Sequence, residues 1–264
     1  MLYNSIPVAM YHHIAPTDKD INVYPGVFES HLRSLYNKGW KTLSGEEFLF
    51  FLQNKKERPR KCVLLTFDDG FADNYVYAYP LLKKFNMKAM LFIATDFIED
   101  AEIRRDAFVP RSHSDAWKLA FTERRTEVMC TWKELEEMEK SGTFDIQSHG
   151  MSHKTPGYIK QKQYAILEQD LVGGKAQLEK RLSKKILHFA WPNGCYDEEG
   201  IKTAERAGYK ALYTTDRGAN TTQNLSRVNR LPVKAGSGNW LVKKLPVYSS
   251  VLLSGLYLRL RTRT

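Results

Sequence analysis

The chain has 264 residues, with 42% hydrophobic and 27% charged residues; these are ordinary globular proportions, enough for one large α/β barrel or two small domains. Three widely spaced cysteines, Cys62, Cys130 and Cys195, exclude a disulfide framework or a cysteine-type zinc site, and a reducing compartment is the simpler reading. The formal net charge of +10 comes half from residues 238–264, which hold Lys243, Lys244, Arg259, Arg261 and Arg263 and no acid; no nucleic-acid motif accompanies it, so nucleic acid is not expected as a partner.

In chain order, Ser5 to Tyr11 reads as a strand and Val27 to Lys38 as a helix stopped by Gly39. Trp40 to Leu43 is a short strand. Ser44, with Glu47 three residues on, forms a capping box that opens a helix carrying Phe48, Leu49 and Leu52. Asn54 to Lys61 is a polar loop. From Lys61 the pattern alternates: strand Cys62–Phe67, helix Tyr75–Phe85, strand Ala89–Ala94. Glu99 to Arg125 is a charged excursion with some helix. Thr131 caps a helix through Lys140, and Phe144–Ser148 is the next strand. Lys160 to Leu182 is helical, weakened by Gly173 and Gly174. Leu187–Trp191, a helix over Asp197–Ala207, and Tyr209–Thr214 continue the alternation, and Leu225–Val233 is the last strand. This predicts a parallel sheet with surrounding helices, in an incomplete or distorted (β/α) barrel of about seven strands.

Four places in this pattern carry chemistry. The apolar run Cys62–Phe67 ends in Asp68 and Asp69, and in a barrel the C-terminal ends of strands bear the active site. Two adjacent carboxylates repel unless one binds a cation or stays protonated; the bland alternative is a helix N-cap pair. His149 and His153, after strand Phe144–Ser148, are spaced to meet one metal, and with one carboxylate they form a three-ligand set that leaves a position open for water. Zinc, cobalt, nickel or iron suits those donors. At the end of the first strand, His12 or His13 could face the metal from across the barrel, against the bland reading of an idle imidazole. Trp191-Pro192-Asn193-Gly194 is a turn that could also present a backbone N–H to a substrate oxygen.

At these residues the chain resembles the polysaccharide deacetylase family, the NodB-homology group of carbohydrate esterases. The resemblance rests on Thr66-Phe67-Asp68-Asp69-Gly70, then Ser148-His149-Gly150-Met151-Ser152-His153, then a degenerate Ala190-Trp191-Pro192-Asn193-Gly194, and runs from about Pro7 to about Val233. It implies a distorted barrel with one divalent metal, most often zinc, held by Asp69, His149 and His153, with Asp68 as general base. Such enzymes hydrolyse an N-acetyl amide, releasing acetate and an amine. The subgroup resembling poly-β-1,6-N-acetylglucosamine deacetylases takes its acid histidine from an early Tyr-His segment, which implies His12, with His13 as the near alternative. Pro192, Asn193 and Arg230 are assigned to substrate contact. Two departures stand out. No histidine follows His188 to serve as a late acid. Ala190 replaces the family arginine that holds the base; Arg227 or Arg230 could substitute, although a surface position is the ordinary reading of either.

The expectation is therefore a metal-dependent hydrolase removing N-acetyl groups from an amino sugar in a polysaccharide, lipopolysaccharide or lipid-linked glycan. The alternatives are deformylation of a lipid-linked sugar, or a glycan-binding homologue with weak turnover. Domain organisation reads as a barrel over residues 1–237 and a basic, apolar tail over 238–264. The tail's uncharged stretch, Leu245 to Leu258, has 14 residues and falls short of the ~20 needed to span a bilayer; it either packs on the barrel or lies at a membrane interface. The first residues lack a basic region ahead of an apolar run, which points to the cytoplasm or the inner membrane face rather than secretion.

Overall fold

The computed structural model describes residues 3–17, 21–54, 57–234 and 236–261. The last three residues of the tail lie outside them. In chain order the elements are β1 (Val8–Tyr11), β2 (His13–Ile14), β3 (Asn22–Val23), α1 (Pro25–Asn37), β4 (Lys41–Thr42), α2 (Gly45–Gln53), β5 (Cys62–Phe67), α3 (Tyr79–Lys84) and β6 (Ala89–Ile93). There follow α4 (His113–Ala120), α5 (Trp132–Lys140), β7 (Phe144–Ser148), α6 (Thr155–Lys160), α7 (Tyr164–Leu182), β8 (His188–Ala190), α8 (Glu198–Arg206), β9 (Ala211–Tyr213), β10 (Leu231–Pro232), α9 (Gly238–Tyr248) and α10 (Val251–Arg261).

The main sheet runs β10-β1-β5-β6-β7-β8-β9, with β4 also paired to β5. Every pairing in it is parallel, so the C-terminal ends of all strands share one rim. Seven parallel strands curl into a distorted barrel with helices outside. Side chains alternate in and out along each strand. Val8, Leu64, Met90, Phe92, Ala190 and Tyr213 fill the interior, which α2 closes from below with Phe48 and Leu52. Ala9, Tyr11, Leu65, Phe67, Leu91 and Ile93 face outward and pack under the helices.

Local signals explain most boundaries. The predicted capping box of Ser44 with Glu47 opens α2, and Thr131, the expected cap of α5, forms a second box with Glu134. The predicted Lys160–Leu182 helix is α7, which starts only at Tyr164; a separate helix, α6, ends at Lys160, and Lys162 between them has a positive φ. Gly173 and Gly174 do not break α7. A Cβ on Gly174 would meet the Gly150 backbone at 2.8 Å, so glycine there permits a close helix-to-loop approach. The predicted strand Leu225–Val233 is mostly not a strand. Residues Thr222–Arg227 form a 3₁₀ segment capped by Thr221, and only Val228 and β10 pair in the sheet. Asn220 and Asn224 supply side-chain hydrogen bonds to this segment's backbone, which competes with strand formation.

Candidate active site

Alternation along the strands sets the site. On β5 the inward row Cys62, Leu64 leads to Asp68 at the rim, and on β1 the inward row Val8, Met10 leads to His12. Asp69 follows with φ 79°, a left-handed backbone that turns its carboxylate onto the rim instead of outward, and Gly70 continues the turn with φ 84°. His153 also has a positive φ, 59°. Two non-glycine residues in that region, both at the same site, mark backbone held in place by its surroundings. Neither Asp68 nor Asp69 caps a helix, because the next helical residue is Ala72, with Gly70 and Phe71 in between.

Asp69 Oδ1 lies 3.3 Å from His149 Nε2 and 3.4 Å from His153 Nε2. Asp69 and His149 are buried, and the ligand atoms of all three residues lie within 4.8 Å of one another. Bonds of about 2.0–2.2 Å to one tetrahedral ion leave neighbouring ligand atoms roughly 3.3–3.5 Å apart, so both edges from Asp69 Oδ1 have the right length. His149 Nδ1 is 2.8 Å from the Ala190 carbonyl, which can only accept. Nδ1 therefore carries hydrogen, and in the neutral ring Nε2 turns a lone pair toward a carboxylate. Two acceptors facing each other suit a cation between them. Burial pushes the Asp69 carboxyl upward, but with no cation between them and hydrogen on the facing Nε2 atoms, His149 and His153 outweigh it and hold the group well below the ordinary carboxylate range.

The loop that carries both histidines is anchored from α7. Asp170, itself buried, accepts hydrogen bonds from Met151 N and Ser152 N, both at 2.9 Å, and from the Ser152 hydroxyl. Gly150, with φ 85°, admits this carboxylate, since a Cβ there would stand 2.6 Å from Asp170 Oδ2.

Asp68 is held differently. Arg230 Nη1 and Nη2 donate to its two oxygens at 2.6 and 2.8 Å, and Arg230 Nε donates to the Thr214 carbonyl at 2.7 Å. The guanidinium side chain is 0% exposed, and it lies 5.8 Å from the centroid of the Phe92 ring. Burial alone would raise the Asp68 pKa; Arg230, then His12 and His149, pull it below the ordinary value. The sequence leaves Arg230 between a surface position, substrate contact and a hold on Asp68 in place of the family arginine. Its side chain is enclosed rather than at the surface, and it pairs with Asp68. Arg227 is the exposed one and pairs with Glu198.

The two early histidines part ways. His12 Nε2 stands 3.9 Å from Asp68 Oδ2, with 22% of its side chain exposed at the rim. Burial lowers its pKa, while Asp68 and Asp69 oppose that shift. His13 belongs to the outward row. Its Nδ1 lies 2.6 Å from Asp73 Oδ2 and its Nε2 3.1 Å from His113 Nδ1, so both ring nitrogens are engaged away from the metal triangle. Pro192 is buried in a 3₁₀ turn, and Asn193 is exposed beside it with φ 55°.

Sequence reading found no chemistry in the excursion Glu99–Arg125, yet α4 walls this site. Trp117 lies against His153 with ring centroids 4.5 Å apart and planes tilted by 32°, and His113 meets His12 edge to face at 5.9 Å. Their spacing of four on a short helix with Ala116 and Ala120 buried was the signal available.

A carboxylate-and-imidazole triangle beside a second, arginine-held carboxylate, on the C-terminal rim of a distorted barrel, defines a hydrolase-type site. The chain belongs to the polysaccharide deacetylase family, whose model matches residues 55–212. It is 30% identical over 233 residues to YxkH of Bacillus subtilis (strain 168), itself named for this family, a match covering 88% of this chain and 72% of that one. It is 24% identical over 232 residues to a poly-beta-1,6-N-acetyl-D-glucosamine N-deacetylase of Staphylococcus aureus (strain NCTC 8325 / PS 47), covering 86% and 72%. Among solved structures, the Streptococcus pyogenes deacetylase PplD in complex with acetate superposes with a TM-score of 0.75 at 26% identity, covering 91% of this chain and 98% of that one. IcaB from Ammonifex degensii shares the fold with a TM-score of 0.74 at 21% identity, covering 93% and 97%.

Proposed function

We propose that this protein is a metal-dependent N-deacetylase that hydrolyses the acetamide of an N-acetylated amino sugar in a glycan. The observation that carries the proposal is the Asp69, His149, His153 triangle next to the Arg230-held Asp68 on one rim. The likeness to a poly-N-acetylglucosamine deacetylase and to an acetate-complexed deacetylase supports the substrate class.

Asp69, His149 and His153 would hold one divalent ion, zinc being the first choice for two imidazoles and a carboxylate. Such an ion supplies Lewis acidity, polarising a carbonyl oxygen and lowering the pKa of a water. Asp68 then takes the proton from the attacking water. Pairing with Arg230 keeps Asp68 ionised and ready at neutral pH but makes it a weak base, so it depends on that added acidity of the water. Bidentate contact also fixes the carboxylate plane and aims one oxygen into the site. His12 protonates the departing amine, which leaves poorly as an anion. Its ring stands 3.9 Å from Asp68, so the proton taken from water has a short route to the group that must deliver one. Asn193, exposed on its turn, and the α4 wall of His113 and Trp117 bound the space where the sugar would lie.

Incubation of the purified chain with N-acetylglucosamine oligomers tests this reading. Equal release of acetate and free amine is expected. Absence of both with the metal loaded would leave a glycan-binding homologue as the better account.

A further inference from the structure

The C-terminal helices carry a surface that the catalytic rim does not use. On α10, Leu252, Leu256 and Leu260 recur every four residues and are 69%, 49% and 67% exposed; with Val251 at 45%, four of the twelve large exposed hydrophobic residues among the described residues fall in this one helix. Side chains four apart form one row along a helix, so this is a continuous apolar stripe. On the opposite face Ser254 is buried, and Tyr257 turns inward.

Beside the stripe, between α9, α10 and β10, lies a groove of about 330 Å³ lined by Arg217, Lys234, Trp240, Lys244, Tyr248 and Tyr257 among others. Among the described residues, no carboxylate lines it. Lys244 Nζ is fixed 2.8 Å from Tyr257 Oη and 4.6 Å from that ring's centroid. Arg217 and Lys234 are exposed and make no ion pair among the described residues. Residues 238–264 contain five bases and no acid.

We infer that α9 and α10 dock this protein on an anionic lipid bilayer. The leucine row enters the boundary between headgroups and acyl chains, and the Arg217, Lys234, Lys244 groove receives phosphate headgroups. The physical warrant is the combination: an apolar row, cations without acids, and Trp and Tyr at their junction, which is the composition that lies in a bilayer interface. Length agrees, because the 11 residues of α10 extend roughly 16 Å at 1.5 Å per residue, about half a hydrocarbon core. No described helix is long and apolar enough to cross a membrane, so the helix lies along the surface. This inference is independent of the deacetylase reaction.

Co-sedimentation of the full chain with vesicles tests it. Vesicles containing phosphatidylglycerol should bind roughly tenfold or more tightly than pure phosphatidylcholine, with binding weakened by salt. Leu252→Ser/Leu256→Ser/Leu260→Ser should lose that binding. Leu260→Glu, a change at one exposed position, should weaken it against anionic vesicles most. Arg217→Gln/Lys234→Gln/Lys244→Gln should remove the preference for anionic lipid. Circular dichroism melts matching wild type would show each variant folded. Inorganic phosphate at matched ionic strength should leave vesicle binding intact. Wild-type binding by folded leucine variants, equal binding to neutral vesicles, or complete displacement by phosphate would each overturn the assignment, the last by making the groove a soluble-anion site.

Discussion

Arg230 grips Asp68 through two parallel hydrogen bonds of 2.6 and 2.8 Å across 162 positions of sequence. The guanidinium that orients the proposed base thus comes from the segment entering β10, whereas Ala190 on β8 stands where the family motif places it. Ala190 contributes only its carbonyl, to His149. Arg230 supplies, from just ahead of β10, the cation that Ala190 cannot.

Removing that cation should cost both stability and turnover. Arg230→Met leaves a buried carboxylate unpaired, which is expected to destabilise the fold by about 3–5 kcal/mol and to lower amine release by roughly 10²–10⁴-fold. Arg230 holds the Asp68 pKa down. Stability from a depressed carboxylate is present above its unfolded value near 3.9 and is lost as pH falls, so the destabilisation should shrink in acid. Asp68→Asn/Arg230→Met should recover stability but not activity. Urea melts of the single and double variants check this; a pH-independent loss, or no recovery in the double variant, contradicts it.

His12 and His13 should separate by kind of defect. His12→Ala should lower amide hydrolysis roughly 10²–10⁴-fold while sparing an acetyl ester of nitrophenol, whose leaving group needs no proton. His13→Ala should instead destabilise the fold, because it leaves Asp73 without its 2.6 Å partner. Parallel amide and ester assays with thermal melts distinguish the outcomes, and equal losses on both substrates for His12→Ala would remove its role as acid.

The loop anchors should tune metal affinity without touching the ion. Asp170→Asn weakens three contacts to the His149–His153 loop, and Gly174→Ala forces a Cβ against the Gly150 backbone. Each is expected to reduce divalent-ion affinity about 10–100-fold. Isothermal titration with zinc reads this directly; unchanged affinity in folded variants would assign the anchor to stability alone.

At the opposite end of the barrel, Lys184 bridges Glu139 at 2.7 Å and Asp145 at 2.6 Å. Burial pushes the Asp145 carboxyl up, but Lys184 and His188 bring it below its ordinary value. Asp145 in turn accepts from Gly45 N, the first residue of the helix that closes the barrel. Lys184→Met should cost about 1–3 kcal/mol at neutral pH, with a smaller penalty near pH 4 as the freed carboxylates take up protons. Denaturant melts at the two pH values check the sign.

Much of this architecture was legible because apolar runs ending in Asp68 and Ser148 mark strands, and a parallel barrel must bring their ends together. Capping boxes fixed the starts of α2 and α5 for local reasons. The parity of β1 also held the answer to His12 against His13: Val8, Met10 and His12 share the inward row, and His13 does not. What stayed hidden depends on distance. Nothing near Arg227 or Arg230 in sequence decides which of them reaches Asp68, and the 3₁₀ segment before Arg230 follows from asparagine side chains rather than from apolar pattern. Similarly, His113 and Trp117 sit in a charged segment whose few apolar residues gave no strand or long helix to place them. Gly174 read as a helix weakness because the loop it admits is remote in sequence.

The central claim is that Asp69, with His149 and His153, makes the chain a metal-dependent N-deacetylase. The most direct test measures amine release from an N-acetylglucosamine oligomer by wild type and Asp69→Asn, before chelation, after chelation, and after zinc is restored. The expected result is release by wild type that stops on chelation and returns with zinc, and none from folded Asp69→Asn in any condition. Release that survives chelation, or that persists in Asp69→Asn, would contradict the account.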